Sequence, residues 1–223
     1  HAPYTCPPEF LKKVAAAAQR LGAEVHIHMN ETKAEIEQIT KQYGKRPFEY
    51  VEDTGLFESP TLAAHCVHLS DDEIAIIKKH HIRVAHNPGS NMKLASGIAP
   101  VPRLLKEGVT VALGTDGTSS NNNLDMLQEV QLAALLHKVN EYDPLAVPAF
   151  EALKMGTEYG AKAVGLDGIG RLEAGVKADI VLVSMKGAAW VPRFNEVSLL
   201  VYSGSAADVD TVICDGKVLM QHR

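Results

Sequence analysis

Four short apolar runs in the first half of the chain predict β-strands. They cover 24–28, 61–64, 82–85 and 109–113 and are rich in aliphatic and β-branched residues. Between and before them, apolar positions at helical spacing predict helices over 7–21, 33–43, 47–54, 70–81 and 100–107. Strands that alternate with helices in this way are typical of parallel α/β architecture.

The pattern of apolar positions changes in the second half of the chain. Helices rich in Ala and Leu are predicted over 124–139 and 147–165. Beyond them, short strands at 178–183, 211–214 and 217–220 are separated by Gly and Asp turns, and 214–217 is predicted to be a tight hairpin. We therefore predict an α/β domain over 1–169 and a small β-module over 170–223.

Each strand of the first part ends in a polar side chain that can take part in chemistry. In parallel β/α barrels the carboxyl ends of the strands hold the active site. Taken alone, a single histidine favours a packed core residue and an aspartate beside glycine favours a turn, but their recurrence at successive strand ends favours a site. The residues are His28 with Glu31, His65, His86 with Asn87, and Asp116.

The other histidines and Cys66 are given structural or solvent roles. His26 is expected to pack or hydrogen-bond deeper in the strand, and His68 to be a loop or supporting residue. Cys66 is expected to be a buried thiol. The remaining histidines, expected to face solvent, are His80, His81, His137 and His222.

Composition narrows the class of partner. The formal net charge is −5 and the basic residues are scattered, which gives no electrostatic support for binding nucleic acid or an anionic membrane and favours a small-molecule ligand. The 3 cysteines have no metal or disulfide spacing, which favours a reducing, cytoplasmic setting. No apolar run approaches the roughly 20 residues that span a bilayer. The first residue is His1 and not Met, so the chain can be the latter part of a longer protein.

Six ordered motifs resemble the metal-dependent amidohydrolase superfamily and, within it, the methylthioadenosine/S-adenosylhomocysteine deaminases and their chlorohydrolase relatives. The motifs are HAPYTC (1–6), HIHMNET (26–32), AAHCVHL (63–69), HNPGSNMKLASGIAP (86–100), GTDGTSSNNNLD (114–125) and LEAGVKADIVLV (172–183). The resemblance implies an α/β fold: the second half, strands 5–8, of a (β/α)₈ TIM-type barrel over 1–169, with C-terminal strands of a β-sandwich over 170–223. It also implies one divalent metal, usually zinc, with iron or manganese as alternatives.

The resemblance also assigns roles to the residues at the strand ends. It implies hydrolytic deamination of adenosine-type nucleosides, in which metal-bound hydroxide attacks C6 of the purine and ammonia leaves. His28 and Asp116 would bind the metal, Glu31 would protonate the ring, His65 would orient the water, and Asp116 would also carry a proton. The substrate-binding residues would be His1, Glu31, His65, His86 and Asn87, with 119–123 shaping the pocket and holding the turn at Asp116.

One departure from the family pattern limits these expectations. The family has an H-x-H motif on strand 1 that supplies two further metal ligands, and no matching motif precedes His1. His26-x-His28 has the same spelling, but the Glu31-Thr32 that follows matches strand 5. The 223-residue chain alone is therefore expected to be inactive, to need the missing N-terminal half, and to oligomerise through its open sheet. Two alternatives stay open: a triazine chlorohydrolase or guanine-type deaminase of the same superfamily, and a non-catalytic half-barrel.

Overall fold

Strands and helices alternate throughout the first 111 residues. A computed structural model describes residues 1–222, and the chain divides into two compact units, His1–Val111 and a second that begins at Ala112. The strands of the first unit are β1 (Val25–Met29), β2 (Thr61–His65) and β3 (Arg83–His86), and β4 (Val111–Leu113) begins at its last residue. Its helices are α1 (Pro8–Leu21), α2 (Lys33–Tyr43), α3 (Pro47–Glu52), α4 (Asp71–Lys79), α5 (Pro88–Lys93) and α6 (Val101–Lys106). Short 3-10 turns cover Pro3–Thr5 and Leu56–Glu58.

The strands form a parallel sheet in sequence order. Among residues 1–222 the order is β1-β2-β3-β4, and the β1–β2 and β2–β3 pairs are parallel. Met29 pairs with His65, so β1 and β2 end at the same level. The Val84 N–H donates to the Thr110 carbonyl at 2.9 Å, which extends β3 toward β4. The four predicted strands are confirmed, and so is the parallel arrangement of β1, β2 and β3.

The helix ends follow the signals in the sequence. α1 starts at Pro8 and ends at Gly22, whose left-handed φ of 62° closes the helix. α4 starts with a reciprocal capping box in which Ser70 and Glu73 each accept the other's backbone N–H. Fully buried side chains of β1 and α4, such as Met29 and Ile77, form the core beneath the sheet.

The second unit combines helices with a small antiparallel sheet. Its helices are α7 (Thr118–Asn121), α8 (Met126–Glu141), α9 (Ala149–Met155), α10 (Glu158–Ala163) and α11 (Glu196–Ser203), with 3-10 turns at Ala188–Trp190 and Ala206–Asp208. Its strands are β5 (Ile180–Val183), β6 (Val209–Cys214) and β7 (Lys217–Met220), paired antiparallel in that order. The predicted hairpin is confirmed, because Asp215 and Gly216 have φ of 49° and 75°, as a type I′ turn requires.

Two helix predictions need correction. The single helix predicted over 147–165 is wrong, because the chain breaks at Gly156 and Thr157 between α9 and α10. A Cβ at Gly156 would lie 2.9 Å from Val130 Cγ2, so the glycine allows a close approach to α8 at the break. Three helices were not predicted: α5, α7 and α11. α5 has only 6 residues and contains Pro, Gly, Ser and Asn, and α7 overlaps the 119–123 segment that was expected to be a loop.

Three histidine predictions are also wrong. His137 was expected in solvent but is fully buried in α8, and burial lowers its pKa to about 4. His80 is half-buried, with Nε2 2.8 Å from Glu52 Oε1. His26 was expected to pack and is instead exposed, on the same face of β1 as the half-buried His28. His81 and His222 are exposed and Cys66 is buried, as predicted.

No helix within residues 1–222 is long and apolar enough to cross a membrane. The domain boundary predicted at 169/170 stays a prediction.

Candidate metal centre

Three predicted site residues lie together at the carboxyl ends of β1 and β2. His28 is the fourth residue of β1, His65 is the last residue of β2, and Glu31 lies two residues beyond the end of β1. The rings of His28 and His65 stack with their centroids 5.3 Å apart and an interplanar angle of 26°. Glu31 Oε2 lies 3.7 Å from His65 Nε2. The parallel register therefore brings two imidazoles and a carboxylate to one edge of the sheet.

His28 is held in the tautomer that suits a metal ligand. Its backbone N–H donates to the His1 carbonyl at 2.8 Å, and its ring Nδ1 lies 3.1 Å from the same oxygen. Because a carbonyl only accepts, Nδ1 carries a proton, and Nε2 is the ring nitrogen that can serve as a metal ligand. A backbone carbonyl that fixes the ring in this way is the usual support of a metal-binding histidine. The ring of His1 also makes an edge contact with His28, with centroids 5.8 Å apart.

His65 is almost completely buried and is oriented by an amide. Its exposed fraction is 1%, and its Nδ1 lies 2.8 Å from Asn91 Oδ1. An amide oxygen accepts, so Nδ1 carries a proton, and Nε2 is the ring nitrogen that lies toward Glu31. His65 and Cys66 both have positive φ, 74° and 50°, an unusual conformation for residues with a Cβ. The orientation of the His65 ring is therefore fixed by Asn91.

Glu31 is positioned through its side chain and its backbone. The Ser96 hydroxyl donates to Glu31 Oε1 at 3.2 Å. The Glu31 N–H donates to Glu35 Oε2 at 2.7 Å, and the Asn30 N–H donates to Glu35 Oε1 at 3.1 Å. The Glu35 carboxylate thus clamps the turn that presents Glu31. Burial raises the pKa of Glu35 to about 7, and the backbone N–H groups oppose that rise.

Sequence reasoning missed Asn91, Ser96 and Glu35. Asn91 and Ser96 lie within a motif used for the resemblance, but no role was assigned to them. Glu35 had a signal, since Thr32-x-x-Glu35 has the spelling of a capping box. Thr32 does cap α2 by accepting from the Glu35 N–H at 3.2 Å. The Glu35 carboxylate reaches further back, to residues 30 and 31.

The strand-end residues of β3 are buried as well. His86 has an exposed fraction of 0% and Asn87 of 4%. They lie at the carboxyl end of β3, which is parallel to β2. Their predicted role in substrate binding, like that of His1, stays a prediction.

Asp116 lies in the second unit, on a strained turn after β4. Its φ is 60°, and Ser120 Oγ donates to its Oδ2 at 2.7 Å. Ser120 lies within the 119–123 segment that was expected to hold this turn. The hydrogen bond fixes one carboxylate oxygen, and the side chain is half-buried.

Comparisons with known proteins place these features in one family. The model of the Amidohydrolase family matches residues 1–219. A 5-methylthioadenosine/S-adenosylhomocysteine deaminase of Syntrophomonas wolfei is 53% identical over 225 residues, which cover 100% of this chain and 52% of the relative. The chain therefore spans about half the length of the curated relatives it matches.

Two solved structures share the fold. An adenosine deaminase from Xanthomonas campestris with bound zinc is 36% identical with a TM-score of 0.96, and the match covers 100% of this chain and 51% of that one. An atrazine chlorohydrolase from Arthrobacter aurescens complexed with zinc is 27% identical with a TM-score of 0.88, over 97% and 48% of the two chains.

Proposed function

The chain belongs to the amidohydrolase family, and from that premise we propose that it forms part of a metal-dependent deaminase of adenosine-type nucleosides. The observation that carries the proposal is the group of His28, His65 and Glu31 at the ends of β1 and β2. The deaminase names of the relatives support the substrate class.

The residues present fit a divalent metal. His28 and Asp116 are the proposed ligands, and His65 is a further imidazole able to bind an ion. The fit rests on His28, whose Nδ1 contacts the His1 carbonyl at 3.1 Å, the usual support of a metal-binding histidine. Imidazole with carboxylate suits zinc, and the zinc named for both solved neighbours supports that choice. A bound divalent ion lowers the pKa of water to near 7 and so supplies the nucleophile.

The remaining steps of the reaction are carried out by side chains of this chain. His65 Nε2 accepts a hydrogen bond and orients the attacking water. Glu31 donates a proton to the purine ring nitrogen when C6 is attacked, because the ring then gains charge. Asp116 takes a proton from the water and passes it to the leaving ammonia. His1, His86 and Asn87 are proposed to contact the substrate.

The experiment measures ammonia release by the protein expressed from its complete reading frame. S-Adenosylhomocysteine and methylthioadenosine are compared with guanine and a chlorotriazine, the latter assayed for chloride. Release from either adenosine derivative is the expected result, and none from both would reject the proposal. Glu31→Gln is expected to lower kcat at least about 100-fold. Glu37→Gln, an exposed change on α2, serves as the matched control and should keep full activity.

The atrazine chlorohydrolase neighbour favours chloride release as the second candidate. The 223-residue chain alone should be inactive, since catalytic zinc sites normally have three protein ligands. Stoichiometric zinc and turnover in the isolated chain would contradict that expectation. Its oligomeric state stays a prediction, tested by sedimentation.

A further inference from the structure

Besides their direct contact, Glu31 and His65 are connected through Asn91 and Ser96, two residues of the segment after β3. His65 Nδ1 lies 2.8 Å from Asn91 Oδ1. The backbone carbonyl of Asn91 accepts from the Ser96 N–H at 2.8 Å. The Ser96 hydroxyl donates to Glu31 Oε1 at 3.2 Å, and Glu31 Oε2 returns to His65 Nε2 at 3.7 Å. These four residues therefore form a closed ring of polar contacts.

The position of Ser96 is fixed from several directions. Its exposed fraction is 6%, and its carbonyl lies 2.7 Å from His68 Nε2. The next residue, Gly97, has φ of 126°, and a Cβ there would lie 2.9 Å from Val67 Cγ1. Only glycine fits such a conformation and approach, so the loop is packed tightly against the segment after β2. The tightly packed loop therefore holds the Ser96 hydroxyl in a fixed position beside Glu31.

The ring gives the two oxygens of Glu31 different surroundings. Oε1 accepts a hydrogen bond from the Ser96 hydroxyl, while Oε2 makes no contact with Ser96 and lies 3.7 Å from His65 Nε2. A protonated carboxyl carries its hydrogen on the oxygen that does not accept from a donor. The transferable proton therefore belongs on Oε2.

We propose that Ser96 is a positioning residue that holds Glu31 Oε1 as an acceptor, so that Oε2 is the oxygen that carries and releases the proton. Asn91 completes the arrangement by holding the His65 ring through its Nδ1. Ser96 itself makes and breaks no covalent bond. The inference rests on the proposed function, because it assumes that Glu31 is the proton donor.

The test compares Ser96→Ala, Ser96→Thr and Ser96→Cys in the protein expressed from its complete reading frame. Ser96→Ala is expected to lower kcat about 10-fold to 100-fold with less change in KM, since a misplaced proton donor costs turnover more than binding. Ser96→Thr keeps the hydroxyl and should restore most of kcat. Ser96→Cys keeps the size but offers only a weak donor, so its kcat should also fall.

Ser70→Ala is the matched control. It removes a serine hydroxyl that caps α4, and it should lower Tm without changing kcat.

Unchanged kcat in both Ser96→Ala and Ser96→Cys would overturn the inference. Equal losses in Ser96→Ala and Ser96→Thr would also overturn it, because they would indicate a packing role. If Ser96→Ala fails to fold, Ser96→Cys against Ser96→Thr decides. A wild-type protein without deaminase activity would reject the proposed function instead.

Discussion

Glu35→Gln is expected to change how the stability of the protein depends on pH. Glu35 is buried, with an exposed fraction of 3%, and its carboxylate accepts from the Asn30 and Glu31 N–H groups. Burial raises its pKa from 4.5 to about 7 because ionising the carboxyl there is costly. The folded protein therefore holds a proton on Glu35 over a pH range in which the unfolded chain has lost it.

The sign and size of the effect follow from linkage. Between pH 4.5 and 7 the folded state binds more protons than the unfolded state, so the free energy of unfolding falls as pH rises. The rise in pKa is about 7 minus 4.5, or about 2.5 units. At 1.36 kcal/mol per unit this amounts to about 3 kcal/mol between acid and pH 8.

The assay is urea unfolding of wild type and Glu35→Gln at several pH values from 4 to 8. The wild-type free energy of unfolding, minus that of the variant, should fall by about 3 kcal/mol across the range. Glu37→Gln, exposed on the same helix, should show no such trend. A difference that is independent of pH, or that grows as pH rises, would refute the reasoning.

Three further outcomes are expected. His28→Ala and Asp116→Asn in the protein from the complete reading frame should abolish metal retention or turnover, and unchanged metal content by elemental analysis and unchanged rate would refute the ligand assignment. Gly97→Ala should lower stability by about 2 kcal/mol or more in urea, because φ is 126° and its Cβ would meet Val67; a stable variant would contradict the tight packing of that loop. Ile77→Ala, at a fully buried position, should cost about 3 kcal/mol, and a cost below about 1 kcal/mol would mean that the site collapses around the smaller side chain.

The strands and their reactive ends could be predicted because both signals are local. An apolar run such as 61–64 predicts a strand, and the polar residue that follows it lies at the end of that strand. The break between α9 and α10 was missed because the close approach of Gly156 to Val130 joins residues that are distant in sequence. The buried His137 was missed for a similar reason, since neighbouring charged residues do not reveal which face of α8 is covered.

Asn91 and Ser96 could not be assigned from the sequence because their partners are far away in the chain. Ser96 contacts Glu31 across 65 positions and Asn91 contacts His65 across 26. Serine and asparagine in a loop with Gly and Pro are ordinary turn residues when seen locally. Only the folded loop makes them part of the site.

Positive φ values at residues with side chains are a structural feature that the sequence pattern does not predict. Asn30, His65 and Cys66 adopt φ of 52°, 74° and 50° directly after β1 and β2. Such backbone costs on the order of 1 kcal/mol or more for each residue unless its surroundings hold it. Here the Cys66 N–H donates to the Met29 carbonyl at 3.0 Å, and two N–H groups from 67 and 68 donate to the Asn30 carbonyl at 3.0 Å. The orientation of His65 toward Glu31 is therefore maintained by a backbone link between two strand ends, which no local pattern in either strand reveals.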